Sequence, residues 1–262
     1  MATPPTLAPE IVIAVHDVCT RFDEAVIQDG VTLEVRRGKI FALAGPSGCG
    51  KTLLLRQALA LQLPDSGSIE VLGRNVVGLR DEEEALALRR RCGVVFERAA
   101  LFSSLTVAEN VALPLRERTR LRRPLLDELA ALKIALVGLP PSAGPKYPSQ
   151  LSVGMRRRAA LARAIAPDPE LLFLDEPSAG LDPESSRAFE ELIRNLNELL
   201  GLTIFVVTRD PGLLWNAADH VAFLGAGRVV VAGTIEEVSR SAEPLVRSYF
   251  YGARGGAPRE QR

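Results

Sequence analysis

The stretch GPSGCGKT, residues 45–52, follows the apolar run KIFALA and precedes the apolar helical pattern LLLRQALAL. It matches G-x-x-x-x-G-K-[ST], in which glycines let backbone N–H groups turn inward around an anion and the next helix offers its positive end. With this spacing Lys51 can reach the β- and γ-phosphates of a nucleotide, and the Thr52 hydroxyl can ligate Mg²⁺. The predicted phosphate-binding residues are Gly45, Pro46, Ser47, Gly48, Cys49, Gly50, Lys51, Thr52 and Leu53.

A second apolar run, LLFLDEP at residues 171–177, ends in two acids. In open α/β sheets ligands bind at the carboxyl ends of the strands, where these acids are expected to lie. Asp175 is predicted to hold Mg²⁺ through water, and Glu176 to polarise an attacking water. Taken alone, the pattern is equally typical of an ordinary strand end. The upstream phosphate loop favours the catalytic interpretation.

Composition narrows the class of protein. The 262 residues carry 32 Lys plus Arg and 32 Asp plus Glu, so a zero formal charge gives no indication of a nucleic-acid partner. Apolar stretches such as HVAFLGAGRVVVAG are interrupted well short of the roughly 18 to 20 residues that a membrane span needs. The start, MATPPTLAPE, lacks the basic and apolar regions of a signal peptide. Three cysteines without metal-like spacing also favour a cytosolic protein.

Hydrophobic periodicity predicts an α/β layer fold with an antiparallel sheet near the N-terminus. Between residues 98 and 168 no strand-like run occurs, and Thr106 with Glu109 forms a capping box that opens a helix. We therefore expect a flexible segment at 1–10, a main domain at 11–240 with a helical lobe inserted at about 98–168, and a tail at 241–262 that is extended or loosely docked. The apolar runs predicted as strands are residues 11–18, 31–38, 39–45, 68–73, 93–97, 171–175, 203–208, 221–225 and 228–233.

Three motifs in order, LSVGM at 151–155, LLFLDEP at 171–177 and SAGLDP at 178–183, resemble the signature, Walker B and D-loop series of ATP-binding-cassette (ABC) ATPases. The resemblance extends from about residue 11 over nearly the whole chain. It implies a P-loop NTPase fold with an N-terminal antiparallel β subdomain and an inserted helical subdomain. It also implies a head-to-tail dimer, of identical or different subunits, with two ATP molecules between them. The signature residues that would meet the ATP of the opposite subunit are Ser152, Val153, Gly154 and Met155.

Two further positions take roles from this resemblance. Asp182, in the D-loop, would lie at the dimer contact, and it is also a good N-cap before Pro183. Phe22 stands where the family stacks an aromatic ring on adenine. The alternative for Phe22 is an ordinary core aromatic.

A narrower resemblance comes from ALFSSLTVAENVALPLRERTRL, residues 100–121, and PLVRSYFYGARGGAP, residues 244–258. Together with the run through Walker B, they resemble the ATPase subunit of Mla-type transporters. That resemblance implies transport of phospholipids or related lipids between membranes, with an integral-membrane permease and an MCE-domain lipid-binding protein as partners. It places the chain on the cytoplasmic side, peripheral to the inner face of the cell membrane, with no nucleic-acid partner.

Three positions depart from the family pattern. Glu97 replaces a Gln that touches Mg²⁺ and the attacking water, Val153 replaces a Gly, and Arg209 replaces a His that bonds the γ-phosphate. Glu97 can still ligate Mg²⁺, and Arg209 can bind phosphate but cannot switch protonation state. Glu97 and Arg209 therefore either compensate each other as an acid–base pair or represent two independent losses. Together with Glu176 they form the predicted catalytic set, and Thr52, Asp175 and Glu97 the predicted metal ligands.

Arginine is concentrated in and beside the predicted helical lobe. The simpler interpretation of these arginines is solvated helix faces, and the other is docking to a permease or to anionic lipid headgroups. In the resembling family this lobe grips the permease, so Leu101, Phe102 and Leu105 are the predicted contacts. The arginines concerned are Arg89, Arg90, Arg91, Arg116, Arg118, Arg120, Arg122, Arg123, Arg156, Arg157 and Arg158.

The sequence thus supports more than one function. The leading hypothesis is an ATP-hydrolysing subunit that drives lipid transport. The alternatives are a nucleotide-gated subunit with weak or lost hydrolysis, the ATPase of another ABC transporter, and a cassette ATPase that serves the ribosome or DNA. The last class carries two cassettes in one chain or a long coiled coil, and this chain has neither.

Overall fold

The computed structural model describes residues 10–79, 81–97 and 99–251. The predictions for the first nine residues and for 252–262 lie outside these. The strands of the described residues are β1 (Ile11–Phe22), β2 (Ala25–Arg36), β3 (Ile40–Ala44), β4 (Ser66–Val71), β5 (Arg74–Asn75), β6 (Cys92–Val95), β7 (Leu171–Asp175), β8 (Thr203–Thr208), β9 (His220–Gly225) and β10 (Arg228–Gly233).

The first sheet is antiparallel, with the strand order β2-β1-β4-β5. Its longest pair is β1 with β2, joined by a tight turn at Asp23 and Glu24. Near that turn the register shifts: Thr20 pairs with Gln28, but the next residue, Arg21, pairs with Val26. One residue of β2 is therefore left over as a bulge, which re-aims the side chains at this end of the pair.

The second sheet has the order β10-β9-β3-β8-β7-β6, and only β10 pairs antiparallel with its neighbour. Its central strands are continuous apolar runs buried along their whole length, as strands covered on both faces must be. Ala44 pairs with Thr208 and Asp175 pairs with Val207, so β3, β8 and β7 end at nearly the same level. The predicted α/β class with an N-terminal antiparallel sheet is confirmed.

The helices of the described residues are α1 (Lys51–Ala58), α2 (Glu82–Arg90), α3 (Val107–Arg118), α4 (Arg123–Leu136), α5 (Val153–Ile165), α6 (Pro183–Leu200), α7 (Pro211–Ala217), α8 (Ile235–Ser239) and α9 (Pro244–Tyr251). Three of them, α3 to α5, lie between β6 and β7, where the helical lobe is predicted. The capping box of Thr106 and Glu109 at the start of α3 is confirmed, with both reciprocal hydrogen bonds present. None of the described helices combines the length and apolarity needed to cross a membrane.

Successive side chains of the central strands point to opposite faces of the sheet, so the buried core consists of two separate layers. Phe41 of β3 belongs to a cluster shared with α1 and the antiparallel sheet, whereas its neighbour Ala42 belongs to one shared with α3 to α7. Phe205 of β8 stacks on Phe41 at 5.7 Å between ring centroids. Each fully buried ring of this kind contributes about 1.5–3 kcal/mol. The larger sheet is therefore held rigidly between two apolar layers.

The expectation of an extended or loosely docked segment after residue 241 is wrong for Pro244–Tyr251. These residues form α9, whose Val246 and Phe250 are buried in the main core. Phe250 packs edge-on against Trp215 of α7 at 6.3 Å. The four-residue spacing of the two buried side chains is the helical signal that the overall Gly, Pro and charge content of the tail obscures.

We predict that Phe250→Ala lowers the free energy of unfolding by about 3–4 kcal/mol, because it removes a buried ring and leaves a cavity. Tyr251 is the matched control, since it is adjacent and 59% exposed. Tyr251→Ala removes only a long hydrogen bond from its hydroxyl to the Ser239 carbonyl oxygen, at 3.4 Å, and is expected to cost about 0.5–1 kcal/mol. Urea denaturation followed by circular dichroism measures both. Equal effects of the two substitutions would contradict the docking of α9.

Candidate functional site

The residues that follow the ends of β3, β6, β7 and β8 meet at one edge of the parallel sheet. They line a cleft of roughly 380 Å³, closed on one side by the β1–β2 turn. The fold thus brings together positions from five separate segments of the sequence. Every lining position except Ile27 is predicted as functional. The residues lining the cleft are Phe22, Ile27, Ser47, Gly48, Gly50, Lys51, Thr52, Leu53, Glu97, Glu176 and Arg209.

Two glycines shape the loop at the bottom of the cleft. Gly45 has φ +148°, and a Cβ there would lie 2.3 Å from the carbonyl oxygen of Leu224. Gly50 caps α1 with φ +98° and offers no side chain to the first-turn N–H groups. Because the first N–H groups of a helix have no intrahelical partner, α1 presents open donors at its positive end. Both features suit the binding of an anion at this end of α1.

Lys51 is 6% exposed, and its ammonium group lies inside the loop. Its Nζ donates to the carbonyl oxygens of Gly45 at 2.9 Å and Pro46 at 2.8 Å. The loop is therefore curled around its own cation. A phosphate in the cleft would meet a positive charge already desolvated and held in place.

Thr52 of the cleft is hydrogen-bonded to the buried carboxylate of Asp175. The Thr52 hydroxyl donates to Asp175 Oδ1 at 2.9 Å. Burial raises the pKa of Asp175; the Thr52 hydrogen bond opposes this, and the charge of Glu97 adds to it. A hydroxyl and a carboxylate are the hard ligands that Mg²⁺ prefers, so the pair fits that ion. No cluster of three or more His, Cys, Asp or Glu side chains suited to a metal occurs in the described part of the chain.

Glu176 has a left-handed backbone, with φ +46°, directly after β7. Its N–H donates to the carbonyl of Val207 at 2.8 Å, and the turn directs its carboxylate to the cleft. Such a conformation costs a non-glycine residue about 1 kcal/mol or more. Burial raises the pKa of Glu176, while hydrogen bonding by Arg209 and the charge of Lys51 lower it.

Arg209 faces Glu176 across the cleft. Its backbone N–H donates to Glu176 Oε2 at 3.2 Å, and its guanidinium Nε lies 4.0 Å from the same oxygen. Its Nη1 is 3.5 Å from the Ser47 hydroxyl in the phosphate loop. The side chain is 56% exposed, so this is a loose contact that a stronger anion can displace.

Glu97 lies on the cleft and is exposed, and the described residues show no hydrogen bond or ion pair between it and Arg209. Its charge acts on Asp175 and on Arg157 instead. In the chain alone, Arg209 thus neutralises Glu176 rather than Glu97. Compensation between Glu97 and Arg209 around a shared phosphate stays a prediction.

Phe22 is 47% exposed at the end of β1, which contradicts the alternative of a core aromatic. It lines the cleft opposite Lys51, beside the turn into β2. An exposed ring next to a phosphate site offers an apolar face at low entropic cost. The placement suits a planar base.

The signature segment lies in a second, separate cleft, lined by Ser152, Gly154 and Met155 with residues of α6. Ser152 caps α5, its hydroxyl accepting from the Met155 N–H at 3.2 Å. Val153 is the first helical residue, 43% exposed and without left-handed φ, so it fits where the family has glycine. Asp182 is exposed and caps α6 through Ser185, confirming its predicted N-cap.

For Arg157, both interpretations of the arginine triplet at 156–158 are wrong, because this side chain is buried. Arg157 is 5% exposed and donates to the carbonyls of Phe96 at 3.2 Å and Ala179 at 3.1 Å. Its neighbours Arg156 and Arg158 also bond backbone carbonyls. These guanidinium groups fasten α5 to surrounding loops because each supplies several donors in a rigid fork. The arginines of the set that remain exposed are Arg90, Arg116, Arg118, Arg120, Arg122 and Arg123.

A buried polar cluster behind the cleft has no counterpart in the sequence predictions. Asp210 Oδ2 accepts from Ser178 at 2.9 Å, which joins the segment after β7 to the segment after β8. Ser186 bridges Asp210 to Glu190, and burial raises the pKa of Glu190. The partners come from separate elements, so only the acidic N-cap at Asp210 gave a local signal.

Comparison with known proteins identifies the family to which this chain is similar. The model of the ABC transporter family matches residues 28–179. The intermembrane phospholipid transport ATP-binding proteins MlaF of Haemophilus influenzae and Escherichia coli K12 are 38% and 39% identical, over 94% and 93% of this chain and 93% and 90% of theirs. The sulfate/thiosulfate import ATP-binding protein CysA 2 of Chromobacterium violaceum is 40% identical over 95% of this chain, which spans 66% of its length.

Two solved structures share the fold. The dimeric ATP-binding cassette MJ0796, bound to ADP and Pi, superposes with a TM-score of 0.78 at 28% identity, over 85% of this chain and 98% of that one. The cbiO1 subunit of Clostridium perfringens, part of the ABC transporter complex cbiONQ, gives a TM-score of 0.80 at 25% identity, over 87% and 90%.

We predict slow alkylation of Cys49 by iodoacetamide, because burial raises the pKa of this half-buried thiol in the loop. Cys92 is expected to stay unlabelled at pH 8, since burial raises its pKa to about 12. Labelling of Cys49 should accelerate as pH rises, because only the thiolate reacts. Peptide mass spectrometry measures each site, with urea-unfolded protein as the control. Cys49 labelling as fast in the folded as in the unfolded chain would refute this.

Proposed function

The chain belongs to the ABC transporter family, and from that membership we propose that this ABC-type ATPase drives phospholipid transport between membranes. The share of each relative's length that this chain covers supports the proposal. Identity alone does not separate phospholipid from sulfate transport, at 38–39% against 40%. The share of length covered favours the phospholipid relatives, since the chain covers 93% and 90% of the two MlaF proteins but 66% of the sulfate/thiosulfate protein.

ATP binding is the first step. The triphosphate would lie against the open N–H groups of α1 with Lys51 at its β- and γ-phosphates, and adenine against the exposed ring of Phe22. Mg²⁺, held by Thr52, Asp175 and Glu97, would neutralise phosphate charge. Arg209 would leave Glu176 for the γ-phosphate, because a phosphate accepts two guanidinium bonds where the carboxylate contact is loose.

Hydrolysis then needs one base and one water. A Glu176 oxygen accepts a hydrogen bond from the water, whose oxygen attacks the γ-phosphorus while the bond to the β–γ bridging oxygen breaks. ADP and phosphate result, and the water proton ends on phosphate. Freed from Arg209, the Glu176 carboxylate is a stronger acceptor. Burial keeps it weakly hydrated and raises its pKa, which suits a base.

A complete site requires two chains. The phosphate cleft and the signature cleft of one chain are lined by different residues, so neither encloses a nucleotide alone. In a head-to-tail dimer of identical or different subunits, Ser152, Val153, Gly154 and Met155 would close on the γ-phosphate of the other chain. Asp182 is exposed at the start of α6, available for that contact.

The transporter partner would dock on a groove in the helical lobe. Phe102 is 53% exposed there, with the Arg163 guanidinium 5.8 Å from its ring centre. Leu101 and Leu105 are partly buried beside it. We assign this groove to the integral-membrane permease, which holds the chain on the inner face of the cell membrane. An MCE-domain protein would receive the lipid, and no nucleic acid takes part.

The second candidate function is a nucleotide-gated subunit with weak hydrolysis. The contact of Arg209 with Glu176 favours it, because an arginine keeps its charge at any physiological pH and continues to compete for the catalytic carboxylate.

We predict that Glu176→Gln, in the complex purified with its permease, retains ATP binding but lowers ATP turnover by about 10²-fold or more. The amide cannot act as a base, although it has the same shape. Steady-state phosphate release measures turnover, and transfer of a fluorescent phospholipid between vesicles measures transport. Both are expected to be lost together.

Two outcomes would contradict parts of the proposal. A wild type no faster than Glu176→Gln would favour the nucleotide-gated subunit. Wild-type turnover without ATP-dependent phospholipid transfer would exclude the lipid substrate while leaving the ATPase intact.

We also predict that Glu97 and Arg209 are coupled in turnover. A double-mutant cycle with Glu97→Gln and Arg209→His should give a coupling energy above about 0.5 kcal/mol, because both side chains would face one γ-phosphate. Coupling below that value means two independent substitutions. Glu198→Gln, an exposed acid on α6, is the matched control for Glu97→Gln.

A further inference from the structure

Three polar side chains form a hydrogen-bonded chain inside the N-terminal layer. Gln57 Nε2 of α1 donates to Thr20 Oγ1 of β1 at 2.8 Å, and Thr20 Oγ1 donates to Gln28 Oε1 of β2 at 2.8 Å. All three residues are buried, Gln28 and Gln57 completely. The chain joins the β1–β2 pair to the helix that carries Lys51 and Thr52.

This network sits directly behind the nucleotide cleft. The bulge next to the Thr20–Gln28 pair leaves Ile27 unpaired, and Ile27 lines the cleft with Phe22. A Cβ on Gly50 would lie 3.2 Å from Ile27 Cγ2 and 3.4 Å from Gln28 Cγ. The strand pair therefore abuts the phosphate loop itself. One side of it faces the cleft, and the other is bonded to α1.

The network is not an efficient way to stabilise the fold. Gln28 Nε2 and Gln57 Oε1 are buried and lack a hydrogen-bond partner among the described residues. Unpaired buried donors and acceptors destabilise a protein, and apolar groups of the same shape are often neutral or better. What directional hydrogen bonds add, and apolar packing lacks, is a fixed geometry between the strand pair and the helix.

We propose that Thr20, Gln28 and Gln57 are positioning residues that set the Phe22 arm of the cleft at a fixed place relative to the phosphate loop. The inference rests on the proposed binding of ATP, with the base on Phe22. The groups proposed to hold the phosphates, among them α1, Lys51 and Arg209, all lie outside the β1–β2 pair. The base is held only when the β1–β2 pair is fastened to α1, so the network determines how much affinity the base adds.

The test is a triple variant, Thr20→Val with Gln28→Leu and Gln57→Leu, which removes the hydrogen bonds but keeps volume. Its melting temperature is expected to stay equal or rise. Its Kd for ATP is expected to rise about fivefold, while its Kd for inorganic tripolyphosphate stays within about twofold. Thr20→Ser keeps the hydroxyl and is expected to retain the wild-type ratio of the two constants. Calorimetric titration of the full chain gives the dissociation constants, and differential scanning calorimetry gives the melting temperatures.

Phe22→Ala makes the test sharper. In the wild type it is expected to weaken ATP binding about fivefold, and in the triple variant by less than about twofold, because the arm is already displaced. An equal loss in both backgrounds, an unchanged ATP Kd in the triple variant, or parallel loss of ATP and tripolyphosphate binding would each overturn the positioning role. A wild type that binds no ATP would instead contradict the proposed function.

Discussion

In-register parallel hydrogen bonding across β3, β8, β7 and β6 fixes the position of the functional segments that directly follow these strands. Pairing of Ala44 with Thr208, and of Asp175 with Val207, makes these strands end at one level. The residues that directly follow these strands therefore all lie at the same edge of the sheet. Because a parallel pair is bonded along its length and buried on both faces, a slip at one end would disturb the whole apolar layer. The cleft is as rigid as the sheet that carries it.

Charged side chains at this edge of the sheet are held in an environment that is unfavourable for charge. Two carboxylates and one ammonium group are withdrawn from water at the strand ends, which is unfavourable unless each has a partner. In the described chain the partners are internal: Lys51 has loop carbonyls, Asp175 has Thr52, and Glu176 has Arg209. Each of these bonds can be exchanged for one to nucleotide or metal. Lys51, Asp175 and Glu176 are therefore each paired with another group of the chain.

The sequence predicted those parts of the molecule whose cause is local. The phosphate loop, the helix caps at Thr106 and Asp182, and the strand carrying Asp175 each depend on residues within a few positions of one another. Contacts between distant segments could not be predicted. Arg157 meets Phe96 across 61 positions, and nothing in a run of three arginines shows which one is buried.

Composition was also a poor guide where two signals overlap. The tail is rich in Gly, Pro and charge beyond residue 251, and this bias outweighed the spacing of Val246 and Phe250 within α9. The departures from the family pattern are a different case. They were evident from sequence, but the contact of Arg209 with Glu176 rather than Glu97 depends on a backbone turn that no motif encodes.

The left-handed backbone at Glu176 sets a trade-off between durability and activity. Glycine would adopt this φ without strain, so Glu176→Gly would relax the turn and make the fold more resistant to heat. It would also remove the carboxylate that the proposed hydrolysis uses as its base. Selection for thermal stability alone would therefore favour an inactive protein at this position. Directed evolution for stability must screen turnover at the same time.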